Sequence, residues 1–103
     1  MMRGRAVAQQ DHIDGVLLGY CIRQFRENLK AKDPKWTQEY VGRKAEIDER
    51  HYGKIERGKY PQTSFITIGK IAKALNCSLD NLFENYEKEL IAYKRRTGEV
   101  DEE

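Results

Sequence analysis

Apolar residues recur every three or four positions along most of the chain, the period of helices that bury one face. Leu18, Cys21, Ile22, Phe25 and Leu29 make one such stripe and predict a first helix over residues 17–30. Phe65, Ile68, Ile71, Ala72 and Leu75 make another, with Thr63 or Ser64 as its cap. Asn76 suits the left-handed turn that ends such a helix. Cys77 and Ser78 then open a further helix, in which Leu79, Leu82 and Phe83 are expected to close the core. The period carries on through Tyr86, Leu90 and Tyr93 to about residue 96. This stripe suits the chain's own core and a second subunit equally well.

Residues 37–59 hold two shorter helices. Trp36 precedes Thr37, a good N-cap, and Val41 falls where Trp36 can pack on it. The same grammar returns eleven residues on, with Ile47, the cap Asp48 and the staple partner Tyr52. Gly58 ends the second helix without steric cost. Residues 42–46 leave room for a tight turn. Two capped helices of two to three turns with a short connection outline a helix-turn-helix.

The second of these helices has two unlike faces. Tyr52, Ile55 and Glu56 lie three and four apart and are expected to face inward. Glu49, Arg50, Gly53, Lys54 and Arg57 share the opposite side. Long hydrogen-bonding side chains suit the DNA major groove, where Arg pairs with guanine and Glu accepts from cytosine. A solvated face with Glu49 at the helix's positive pole accounts for the same residues. Gly53 within the helix suits a close approach to a sugar-phosphate backbone, or is merely tolerated there.

The remaining segments carry weaker signals. Residues 1–14 show no sustained period, and Arg3 and Arg5 fit either a basic arm along DNA or a loose terminus. They are expected to form a flexible arm ahead of one domain at residues 15–96, with a disordered acidic tail at residues 97–103. Asp33-Pro34 forces a break, ahead of which either the first helix runs longer or the loop bulges. Lys30, Lys32 and Lys35 cluster beside that break and either touch phosphates or are solvated. Lys59 and Tyr60 follow the proposed reading helix, where phosphate contacts would set register.

Composition narrows the class more than it names a partner. The 103 residues make one domain. Net charge is only +2, so any nucleic-acid binding rests on where charge is placed. No apolar run nears the roughly 20 residues that cross a bilayer, and no secretory signal opens the chain. Cys21 and Cys77 sit within apolar patterns as small buried thiols, and neither they nor His12 and His51 show metal spacing. A cytoplasmic protein without membrane contact, metal or cofactor is expected. No glycine-rich phosphate loop or nucleophile elbow is present, so an enzyme is not expected.

Three separated motifs then carry a resemblance. T-Q at residues 37–38, I-E-R-G-K at residues 55–59 and I-A-K-A-L-N-C-S-L-D-N-L-F at residues 71–83 occur in the right order. The chain resembles the lambda Cro/CI-type (Xre-like) helix-turn-helix family from about Leu17 onward, over some two thirds of its length. The resemblance implies a compact five-helix lambda-repressor-like domain, here with an extended C-terminal helix. It implies base contacts from Glu49, Arg50 and Lys54. It implies that Thr37, Gln38, Asp48 and His51 lie along phosphates, beside Lys59 and Tyr60. It further implies an ion pair between Arg26 and Glu56, which would explain a carboxylate on an inward face. The connection from Arg26 to Gln38 is about five residues longer than that family leads one to expect.

The function expected from these readings is sequence-specific binding of double-stranded DNA by a transcriptional regulator, a repressor of bacterial, phage or mobile-element type. A homodimer meeting at Tyr86, Leu90 and Tyr93 would span two half-sites. The rival is an antitoxin-like or adaptor module that keeps the fold without specific DNA binding and holds a protein partner by that C-terminal stripe.

Overall fold

A computed structural model describes residues 2–60 and 63–98, with side chains described from His12 onward. Five helices follow in order: α1 Met2–Lys32, α2 Gln38–Lys44, α3 Glu49–Glu56, α4 Phe65–Ala74 and α5 Leu79–Thr97. No strand occurs among the described residues. None of their helices is long and apolar enough to cross a membrane.

Each of the last four helices starts where its capping residue directs. Thr37, Asp48, Ser64 and Ser78 accept hydrogen bonds from the backbone N–H groups of Tyr40, Arg50, Thr67 and Asn81. Their ends are as regular. Gly58 takes φ 77°, its N–H donates to Ile55, and the Lys59 N–H donates to Lys54. Asn76, at φ 60°, ends α4 by the same pair of bonds to Lys73 and Ala72. Glu46 ends α2 at φ 61°, a conformation that most side chains avoid. These left-handed stops satisfy carbonyls that would otherwise be orphaned.

Helix α1 differs from its expected bounds at both ends. It begins at Met2, so the segment expected as an arm is helical along residues 2–14. Residues 6–10, A-V-A-Q-Q, include strong helix formers and no breaker, and propensity carries the helix where no apolar stripe signals it. The Arg3 and Arg5 side chains lie outside the described residues. At the other end α1 reaches Lys32 before Pro34 stops it, so the long connection is partly helix. Lys30 and Lys32 fall in its last turn, where positive charge is favoured. Lys35 lies 3.7 Å from Asp33 and 5.5 Å from the Tyr40 ring centroid. Past Gly98, the cap of α5, the expected acidic tail lies outside the described residues.

The core gathers where α1 packs on α3 and α5, and α4 packs on α2 and α5. Ile22, Val41, Tyr52, Ile71, Leu75 and Leu82 are its largest fully buried side chains. The five aliphatic ones each stabilise the fold by roughly 1.5–3 kcal/mol through their burial. Trp36 is buried and stacks edge-on against Tyr40. Three residues expected inside are not. Phe65 is 71% exposed, Phe83 57% and Leu79 38%. At 3.6 residues per turn, Phe65 lies about 120° round α4 from Ile71, and Phe83 about 100° round α5 from Leu82. They flank the buried stripe.

Candidate nucleic-acid interface

Helix α3 is held from one side and bare on the other. Tyr52, Ile55 and Glu56 are buried, while Glu49, Arg50, Lys54 and Arg57 are exposed. That division matches the faces read from spacing. None of these four exposed side chains makes a hydrogen bond or ion pair among the described residues. Three cations against one carboxylate give this side a positive balance.

The buried side is locked by charge. Arg26 of α1 donates from Nε to Glu56 Oε2 at 2.7 Å and from Nη2 to Oε1 at 3.1 Å. Its Nη1 donates to the Trp36 carbonyl at 3.2 Å. Gln38 of α2 adds a bond from Nε2 to Glu56 Oε1 at 2.9 Å. Arg26 and Glu56 are only 5% and 6% exposed, so this is the buried pair that the resemblance implied. Burial works to raise the Glu56 carboxyl, but the bonds from Arg26 and Gln38 and the Arg26 charge outweigh it and hold it below the usual range. The Glu56 bond raises the Arg26 guanidinium against its own burial.

Tyr52 lies fully inside, its hydroxyl included. The oxygen feels the Glu56 charge but meets no hydrogen-bond partner in good geometry. Burial first, and then that charge, push its ionisation far above the ordinary phenol range.

The other expected site residues fall into three groups. Thr37 and Asp48 are engaged as caps, accepting at 3.1 Å and 3.0 Å. His51 and Tyr60 come together, with ring centroids 4.7 Å apart, and Lys59 stands exposed beside Tyr60 in sequence. Gln38 is half-buried and turned back to Glu56. Tyr86 is half-buried against the core, and its hydroxyl donates to Asp14 of α1. Leu90 and Tyr93 are also half-buried. An apolar groove instead opens between α4 and α5, lined by Leu18, Phe65, Ile68, Leu79, Leu82 and Phe83.

The spacing put both Gly53 and Arg57 on the outer side of α3, and the structure brings them together. Gly53 is buried despite its place on the outer side, and Arg57 lies next to it. Neither thiol offers a nucleophile: burial and then Glu89 push Cys21 up to about 11, and burial raises Cys77.

A family model described as helix-turn-helix matches residues 22–82, from the middle of α1 into α5. Comparison with curated proteins and with solved structures gives no significant match.

Proposed function

The chain belongs to the Cro/C1-type helix-turn-helix family, a family of DNA-binding regulators, and from that premise we propose that it reads a specific double-stranded sequence with α3 in the major groove. The observation that carries this is the free outer side of α3. Glu49, Arg50 and Lys54 stand unpaired toward solvent while Glu56 is clamped behind them by α1 and α2. A helix presented so rigidly needs no ordering when it meets DNA, which lowers the cost of binding.

Arg50 pairs with a guanine, Glu49 accepts from a cytosine, and Lys54 adds a donor. Lys59, Tyr60 and His51 hold phosphates and set register. Thr37 has a hydroxyl proton to donate to a phosphate, and Gln38 a second amide proton. Asp48 serves through its cap. The protein acts as a homodimer on two half-sites about 34 Å apart and represses transcription in the cytosol. Tyr86 faces its own α1, so the exposed Phe65, Leu79 and Phe83 supply subunit contacts beside Leu90 and Tyr93. The apolar groove between α4 and α5 favours one rival, a module that holds a protein partner there without reading DNA.

Fluorescence anisotropy on a random duplex pool, with selection of retained duplexes, separates these readings. Retained duplexes converge on a palindrome, and affinity falls steeply with salt. Arg50→Ala costs roughly 1–3 kcal/mol on the selected site and relaxes one base preference. Absence of duplex binding even at low salt refutes the regulator.

A further inference from the structure

Gly53 is the position on the outer side of α3 that solvent does not reach. A Cβ there would lie 3.2 Å from Gln38 Oε1 and 3.2 Å from Arg57 Nη1. Two polar side chains from different elements therefore converge over bare helix backbone. Gln38 is fixed from behind, because its Nε2 donates to Glu56 and Arg26 holds that carboxylate. Its acceptor oxygen is left toward the Gly53 slot. Glu56 is occupied by Arg26, and no carboxylate pairs with Arg57 among the described residues. A guanidinium that no carboxylate pairs with and an amide oxygen thus border the same slot, at the junction of α2 and α3.

We infer that Arg57 is a DNA-contact residue and that Gly53 is its positioning residue. The missing side chain lets the end of Arg57 lie back over Gly53, on the side where Gln38 Oε1 also reaches, and this presets the guanidinium for a phosphate. A phosphate is favoured over a base because Arg57 caps the C-terminal end of α3, and reading helices contact bases from their N-terminal residues. The guanidinium fork matches two phosphate oxygens at once. The inference rests on the DNA-binding reading above and assigns the helix glycine a purpose that its helix propensity alone denies.

The test uses the full chain and its Arg57→Ala, Gly53→Ala and doubly substituted variants. Binding is read on the selected duplex and on a scrambled one across a salt series, with thermal unfolding alongside. Arg57→Ala weakens both duplexes by the same factor, roughly tenfold. It also lowers the salt slope by about one phosphate. Gly53→Ala stays folded, the helix preference of alanine being set against the few tenths of an ångström by which the Gln38 and Arg57 ends must give. It nevertheless weakens both duplexes by part of that factor, and in the Arg57→Ala background it weakens neither. An unchanged salt slope in Arg57→Ala overturns the contact. A Gly53→Ala loss that persists without Arg57 shows a collision of the new methyl with DNA and overturns the positioning. Absence of duplex binding by the unaltered chain removes the parent reading together with the inference, an outcome distinct from the other two.

Discussion

Gly19→Ala tests how α1 holds α3. A Cβ at Gly19 would lie 2.4 Å from the Ile55 carbonyl oxygen and 2.6 Å from that of Glu56. Both are backbone atoms, so no side chain can swing aside. Ordinary contact begins near 3.4 Å, and the two helices would have to separate by about 1 Å. Such overpacking costs roughly 1–3 kcal/mol. Alanine within a helix returns about 0.5–1 kcal/mol. A net loss of up to about 2.5 kcal/mol follows, or a fall of up to roughly 10–20 °C in Tm for a domain of this size. Gly69 provides the control, because a Cβ there meets nothing within 4 Å in the middle of α4. Gly69→Ala keeps only the favourable part and raises Tm. Far-UV circular dichroism during thermal and urea unfolding measures both. A Gly19→Ala protein that melts at or above the unaltered chain, with Gly69→Ala behaving as stated, refutes the close crossing of α1 and α3.

Two further outcomes follow from the ends of α2 and α3. Glu46→Gly relieves a left-handed side chain and stabilises by about 0.5 kcal/mol net, after the larger unfolded-state entropy of glycine. Its exposed contact with Lys70 at 3.7 Å subtracts little, and a loss of stability in urea unfolding contradicts this account. Because Glu56 ionises more readily folded than unfolded, its contribution is complete above its ordinary value of 4.5 and fades as pH falls below that. The gap in stability between the unaltered chain and Glu56→Gln therefore narrows on acidification below 4.5, and a constant gap argues against the buried pair.

What the sequence discloses here is mostly local. Thr37, Asp48 and Ser78 announce their helices because a cap and its staple lie within five residues of one another. The two faces of α3 follow from the period alone. Arg26 and Glu56, 30 residues apart, were legible only through the family resemblance. Gln38 bonds a residue 18 positions on, and no spacing rule predicts that it spends its amide there. Phe65 and Phe83 show that a period locates the centre of a stripe and leaves its width to the neighbours. Gly19 reads as a blank in an apolar stripe until a second backbone is laid across it.

The corner between α2 and α3 has one further consequence. Ile47 closes α2 with its N–H to Gly42, and it immediately precedes Asp48, the cap that opens α3. The chain thus bonds back into α2 at the residue just before α3 is capped. Each of the four connecting residues has a part: Ala45 caps α2, Glu46 turns left-handed, Ile47 bonds back to Gly42 and Asp48 caps α3. One inserted residue at this corner would disengage both joints together, whereas a substitution there disturbs only the joint whose chemistry it removes.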